Sequence, residues 1–296
     1  MSVSSDLHIR RGADPSALLT LLKPYTWFPP MWAFACGVVA AGATADWRLI
    51  VLGAILAGPV VCGMSQVAND WCDRHVDAIN EPQRPIPSGR VEPWLALMIA
   101  LAMTALALGL GSFLGPWGWG ATVAAVAAAW AYSLPPLRLK RSGWLGPALV
   151  SLCYEGLPWF TGAAIVAGAP AFPVVVGAVL YATGAFGIMV LNDFKAIEGD
   201  RATGVRSLPA VLGPEVAAKI AVIAMALPQG ILIALLPVFG RPVHALVLAG
   251  LLLGQFWAMR IFLRDPIGRA AWYNGPGVGL FVTGMMVTAL AVRGVM

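Results

Sequence analysis

The stretch Asn69–Arg90, NDWCDRHVDAINEPQRPIPSGR, holds four acids (Asp70, Asp73, Asp77, Glu81) and, counting His75, four basic residues, in a chain where only 11% of residues are charged. Asp70 and Asp73 are three residues apart, and Asp73 and Asp77 four apart. On a helix that spacing puts all three carboxylates on one face. Asn69 sits at the margin of the same face, four residues before Asp73. Carboxylates held this close repel, and one is forced to protonate unless a cation compensates. Every donor is a hard oxygen, which selects Mg²⁺, with Mn²⁺ as its nearest substitute, over zinc or copper. Mg²⁺ keeps several waters and shares the rest of its shell with phosphate oxygens. The expected chemistry is therefore the holding of a metal-bound diphosphate.

The pattern occurs twice. Asn192-Asp193 is followed by Ala196 and Asp200 at the spacing of Asn69-Asp70, Asp73 and Asp77. Arg84-Pro-Ile-Pro87 follows the first copy, and Arg206-Ser-Leu-Pro209 the second. An internal duplication accounts for both, with two half-sites facing one another. If the second copy is also helical, Asp193 and Asp200 share a face, Ala196 takes the slot of Asp73, and Glu198 lies off that face. The expected metal ligands are Asp70, Asp73, Asp77, Asp193 and Asp200. Arg84 and Arg206 recur after equivalent acids, and a guanidinium offers phosphate a two-pronged donor. A charge run in a water-soluble protein is ordinarily a solvated face, and Arg138, Lys140 and Arg141 read first as topology residues.

Such groups need a scaffold, and the composition says which kind. Hydrophobic residues make up 59% of the 296-residue chain, and mean hydropathy is +0.79. Nine apolar runs approach the length of a membrane crossing: Phe28–Ala45, Leu49–Ala68, Trp94–Leu114, Gly118–Leu134, Leu145–Gly168, Phe172–Leu191, Val216–Val238, Val243–Phe262 and Gly277–Val292. They are continuous rather than alternating, which excludes barrel strands. A helix satisfies its own backbone in lipid. The 33 glycines and 23 prolines suit close helix contacts and local kinks. The sequence thus predicts an all-α membrane protein of nine transmembrane helices, with residues 1–27 as a cytoplasmic segment and 28–296 as a single domain. The acidic loops are 69–90 and 192–214. With nine crossings, 16 of the 19 Lys and Arg fall on one side, and only Arg48, Arg241 and Arg293 on the other. Basic residues collect in the cytoplasm, so the N-terminus and both acidic loops are expected there. Met1 to Lys23 carries no cleavage signal, and the four cysteines show no paired spacing.

Asn69-Asp70-x-x-Asp73-x-x-x-Asp77, the second acidic motif and the helix count resemble the UbiA-type intramembrane prenyltransferases over nearly the whole chain. The stretches DAINEPQRPIPSGR (Asp77–Arg90), YSLPPLRLKRSGWLG (Tyr132–Gly146), YEGLPWFTG (Tyr154–Gly162) and NDFKAIEGDRATGVRSLPAVLG (Asn192–Gly213) narrow the likeness to the chlorophyll synthase branch, on its bacteriochlorophyll side. The resemblance implies Mg²⁺-dependent transfer of a geranylgeranyl or phytyl group from its diphosphate to the propionate of bacteriochlorophyllide. It implies that Asp70, Asp73, Asp77, Asp193 and Asp200 hold the metal with Asn69 and Asn192 in support. Arg84, Arg206 and Lys195 then bind diphosphate, and Tyr132 lies near the reacting prenyl carbon. It places the chain in the bacterial inner, intracytoplasmic, membrane, beside other pigment-synthesis or photosystem-assembly proteins, with no nucleic-acid partner.

A propionate is already ionised near neutral pH, so no essential histidine is expected. His75 reads as a loop residue. Glu155 is the one acid deep in an apolar run, and an intramembrane acid faces the interior by default. It is a candidate for the pigment pocket, with a structural role as the equal alternative. Pro158 and Trp159 suggest a kink opening room for a flat macrocycle. The loops 79–91 and 202–214 read as a lid or as plain connections. Asp70 and Asp193 are expected to lie outside the core, so that Asn variants would express normally. The rival readings are the same fold acting on a quinone or haem precursor, and a membrane ion or phosphate transporter. Acids gathered at one interface, in a parallel repeat, speak against the transporter.

Overall fold

The computed structural model describes residues 14–42 and 46–294. Residues 1–13, part of the expected N-terminal segment, lie outside that range. The apolar runs become helices, many opening on proline: Pro15, Pro93, Pro214, Pro242, Pro266 and Pro276 each hold the first position, where a missing N–H costs nothing. We number the helices α1 (Pro15–Leu22), α2 (Phe28–Ala41), α3 (Trp47–Asn80), α4 (Pro93–Gly111), α5 (Gly115–Ser133), α6 (Leu145–Ala167), α7 (Phe172–Asn192), α8 (Ile197–Thr203), α9 (Leu208–Leu212), α10 (Pro214–Val238), α11 (Pro242–Phe262), α12 (Pro266–Tyr273) and α13 (Pro276–Val292).

Among the described residues, six helical stretches are long and apolar enough to cross a membrane, or seven if the pair α12 and α13, bent by 42°, is one span. One of the six, Pro93–Ser133, contains two helices. Its chain reverses at Ser112–Leu114 and at Gly115, whose φ of +74° favours glycine. Trp130 Nε1 then donates to Thr104 Oγ1 at 3.1 Å, and Gly111 packs on Thr122, so α4 and α5 run antiparallel. Helix α2, with 14 residues, falls short of the length test. By length and composition alone, then, the count stops below the nine runs read in the sequence.

Small residues let the helices approach. A Cβ on Gly37 would lie 1.9 Å from the Trp159 carbonyl oxygen, and one on Gly162 2.1 Å from that of Phe34. Helices α2 and α6 therefore touch backbone to backbone, as membrane helices do where dispersion rather than water drives association. The outward side chains are apolar, with Leu246, Leu253, Phe113 and Phe172 all exposed. An apolar exterior over such helices marks a multi-pass membrane protein. Two cores fill the interior. One joins α2 and α6 to α7, α10, α11 and α13. The other joins α1, α3, α4 and α5, with Ala17 and Leu21 of α1 fully buried against it.

Two helices are irregular. α3 passes through a π turn at Leu56–Cys62 around Pro59, whose ring cannot donate to the helical ladder. α6 does so at Leu152–Gly156, and such turns gather at functional sites. The irregularity expected at Pro158 thus falls one turn earlier. Trp159 opens no space, because it is fully buried and stacked on Tyr181 with ring centres 5.7 Å apart. At one end of the bundle Arg241 donates to the Arg293 carbonyl at 3.2 Å. The other basic side chains described below collect at the opposite end, as the sequence asymmetry suggested.

Candidate active site

Helix α3 runs unbroken from Gly63 to Asn80, so Asp70, Asp73 and Asp77 do share a face. Asp70 is 2% exposed and Asp77 6%. Each acid meets a cation from elsewhere in the chain. Lys23 Nζ donates to Asp70 Oδ1 at 2.7 Å, and Arg84 lies 3.6 Å from the same oxygen. Arg84 also donates to Asp77 Oδ2 at 2.9 Å and takes Glu81 in a two-pronged pair. Arg138 donates to Asp73 Oδ1 at 2.9 Å, and Lys140 donates to the other oxygen of Asp73 and to the side-chain amide oxygen Oδ1 of Asn69. Burial pulls the Lys140 ammonium pKa down, and Asp73 opposes that shift only in part. The buried oxygen Asp70 Oδ2 has no partner. Asp70 therefore belongs to the interior, contrary to the expectation that it lies outside the core.

The second motif is not one helix. Helix α7 stops at Asn192, Asp193–Lys195 form a single 3₁₀ turn, and α8 starts at Ile197. The Ala196 N–H bonds back to Asp193, with Ala196 at φ −118° and ψ 9°. That residue leaves helical geometry, so Asp193 and Asp200 are brought together by a bend rather than by a common face. The Ser207 hydroxyl donates to Asp200 Oδ2 at 2.5 Å. Burial pushes the Asp200 carboxyl above its usual range, and the Ser207 bond partly counters it. Glu198 is exposed and does not line the cavity.

Both motifs open on one cavity of about 740 Å³. Asn69, Asp73, Asp77 and Arg84 face it from the first copy, and Asn192, Asp193, Lys195, Ala196 and Asp200 from the second. Tyr132, Arg138 and Lys140 complete the polar rim. Below the rim the wall turns apolar, through Ala57, Val61, Ala125, Ala128, Ala129, Val150 and Cys153. Tyr154 marks the boundary. Its hydroxyl accepts from Gln66 Nε2 at 3.2 Å and meets Cys62 Sγ at 3.4 Å.

Three sequence candidates stand apart from this wall. Asp70 lies just behind it. Arg206 is exposed, and its backbone does the work, accepting from the Gly143 N–H at 2.8 Å and donating to the Arg141 carbonyl at 3.0 Å. These bonds tie the loop after α5 to the loop after α8. Glu155 is 3% exposed, one residue beyond Tyr154, and its Oε2 is unpartnered. His75 is exposed and outside the wall. Conversely, the fold brings Lys23, Arg138 and Lys140 onto the acids, although in the sequence Arg138 and Lys140 read first as topology residues. The available cue was the position of Arg138 and Lys140, two short steps past Tyr132 on the acidic side.

Among the described residues, no three His, Cys, Asp or Glu side chains gather closely enough to cage a metal ion. Where carboxylates hold Mg²⁺, waters and substrate phosphates ordinarily complete its shell. The all-oxygen donor set and the orphaned Asp70 oxygen fit the same ion. The arrangement can neutralise a multiply charged anion at the rim while an attached apolar chain lies below it.

Residues 27–284 match the UbiA prenyltransferase family. The chain is 62% identical to the bacteriochlorophyll synthase 33 kDa chain of Cereibacter sphaeroides, over 99% of this chain and 98% of that one. It is 38% identical to the chloroplastic chlorophyll synthase of Oryza sativa subsp. japonica, over 92% of this chain and 76% of that one. Among solved structures, a UbiA homolog from Archaeoglobus fulgidus bound to DMAPP and Mg²⁺ superposes with a TM-score of 0.70 at 20% identity, covering 95% of this chain and 100% of that one.

Proposed function

This chain belongs to the UbiA prenyltransferase family, and we propose from that premise that it esterifies the propionate carboxylate of bacteriochlorophyllide with a geranylgeranyl or phytyl group taken from its diphosphate. The products are bacteriochlorophyll and diphosphate. The 62% identity to a bacteriochlorophyll synthase over nearly the full length supports this acceptor over a quinone or haem precursor. One observation carries the reading: two acidic segments more than a hundred residues apart face a single cavity that is polar at its mouth and apolar below.

In this reading Asp73, Asp77, Asp193 and Asp200, with the Asn69 and Asn192 amide oxygens, hold Mg²⁺, and Asp70 joins them through its free oxygen. Bound there, Mg²⁺ supplies positive charge to the leaving diphosphate. Arg84 and Lys195 donate to the phosphate oxygens, as do Arg138 and Lys140 when they turn from Asp73. Arg206 serves that anion by fixing the loop that carries Arg138 and Lys140. As the bond between C1 of the prenyl chain and its diphosphate oxygen breaks, the electron pair leaves with diphosphate. The propionate oxygen forms the new bond to C1. The ring of Tyr132 faces the allylic cation through its π-electrons. The apolar wall from Val61 to Cys153 keeps water from that cation, which would otherwise end as a free alcohol. No general base is required, because the acceptor is already ionised; the remaining task is positioning. In the same reading Glu155, beside Tyr154 but off the cavity wall, supports the pigment side from behind.

We count nine crossings by taking α2 as a short span, α4 and α5 separately, and α12 with α13 as one. The acidic end faces the cytoplasm of a bacterial inner membrane, as the basic residues gathered there favour. The described residues before Phe28 lie on the cytoplasmic side, where α1 packs into the second core, so that they and the rest form one domain.

The test uses purified full-length protein in detergent with bacteriochlorophyllide, geranylgeranyl diphosphate and Mg²⁺. Formation of the ester with one equivalent of diphosphate is expected, and no vectorial transport is possible there. Turnover of aromatic acceptors alone would refute the acceptor, and absence of any diphosphate release would refute the enzyme.

A further inference from the structure

The main cavity does not end at its apolar wall. Along α5 the wall descends from Tyr132 through Ala129, Ala128 and Ala125, and Ala125 also lines a second, smaller pocket with Thr122 and Ala121. From Tyr132 to Ala121 is about 16 Å at the helical rise. Ala57, Val61 and Cys153 are likewise common to both spaces. These four shared residues form a neck, and the π turns at Leu56–Cys62 and Leu152–Gly156 supply three of them.

Beyond the neck the pocket holds about 40 Å³, roughly three times what one water requires. Its lining is mostly apolar, with two hydroxyls that already donate to the backbone. The Thr122 and Thr161 hydroxyls donate at 2.8 Å to the carbonyls of Gly118 and Leu157, so each has only acceptor lone pairs left to offer. The rest is Phe34, Gly53, Leu56 and Leu157 with their small neighbours. Phe34 is held from two sides. Gly162 packs against its carbonyl, and its ring lies on Gly53, where a Cβ would come within 2.2 Å of the ring tip. The ring is therefore a fixed floor, 1% exposed.

We propose that this pocket receives the far end of the prenyl chain and that Phe34, seated on Gly53, sets the longest chain the enzyme accepts. The proposal rests on the prenyl-transfer reading above. A short branched alkyl end suits the small, mostly apolar lining, and a chain one isoprene unit longer meets the Phe34 ring.

The experiment measures kcat/KM of the full chain in detergent for farnesyl (C15), geranylgeranyl (C20) and geranylfarnesyl (C25) diphosphates with bacteriochlorophyllide. Ratios within one variant cancel any loss of folded protein. Phe34→Ala is expected to raise the C25 to C20 ratio at least tenfold. Gly53→Ala, which drives the ring across the pocket, is expected to lower the C20 to C15 ratio at least tenfold. A C25 to C20 ratio in Phe34→Ala within threefold of the unmodified protein overturns the proposal, whatever Gly53→Ala does. Failure of the unmodified protein to use any of the three diphosphates would instead sink the parent reading.

Discussion

Replacing Asp70 by Asn separates what that carboxylate does for the fold from what it does for the reaction. Asp70 is 2% exposed, bonded to Lys23 at 2.7 Å and 3.6 Å from Arg84. Asn keeps the shape and an acceptor but removes the charge. A net charge-assisted hydrogen bond contributes about 1.5–3 kcal/mol. The full cost of splitting a buried pair, about 3–5 kcal/mol, is not reached, because the Lys23 side chain is 17% exposed and can turn to water. At about 2.1 cal/mol/K of unfolding entropy per residue, a loss of about 2 kcal/mol corresponds to a fall of roughly 3 °C in thermal midpoint for a chain of this size. Lys23→Met should cost a similar amount, since it strands the same carboxylate. If the two act on one interaction, the double variant falls close to either single one, with a coupling of about 1.5–3 kcal/mol. Activity should divide differently. Asp70→Asn strips the negative charge from a donor of the metal and is expected to lose at least a hundredfold, about 2.7 kcal/mol of barrier. Lys23→Met keeps that donor and should lose less than tenfold. The assay is ester formation beside a thermal melt in the same detergent. Additive melts would refute the pairing, and an Asp70→Asn enzyme within threefold of normal turnover would refute the role in metal binding.

Other outcomes can be checked alongside. Asp193→Asn should abolish turnover with a smaller stability loss than Asp70→Asn, because Asp193 faces the cavity; retained turnover would mean the second half-site is dispensable. Chelation of divalent ions should stop ester formation and added Mg²⁺ restore it, with activity in excess chelator as the refuting result. Gly162→Val should prevent accumulation of folded protein, because even a Cβ there would lie 2.1 Å from the Phe34 carbonyl oxygen; a monodisperse variant would show that α2 and α6 can separate. Arg206→Met should keep most activity if its backbone is what matters, whereas Gly143→Val, whose Cβ would lie 2.5 Å from the Arg206 oxygen, should lose it.

Much of this molecule is legible along the chain. Long apolar runs announce helices in lipid because nothing there can replace an intrahelical hydrogen bond. The carboxylates on α3 could be placed on one face from spacing alone, since a helix converts three and four residues into adjacency. The repeated Asn-Asp motif rightly joined two distant segments at one cavity. Partnership across the fold was not legible. Lys23 reaches Asp70 across 47 residues, and Arg138 and Lys140 reach Asp73 across 65 and 67, and no local period encodes such meetings. The bend after Asn192, the outward course of Arg206, the burial of Trp159 and the position of Glu155 behind the wall were equally out of reach. The sequence by itself determined that the chain folds into long apolar helices and that its acids recur on two matched segments, because hydropathy and helical period are local properties. Only tertiary packing decided which acid meets which cation and how deep the apolar space extends, because those depend on where separate helices touch.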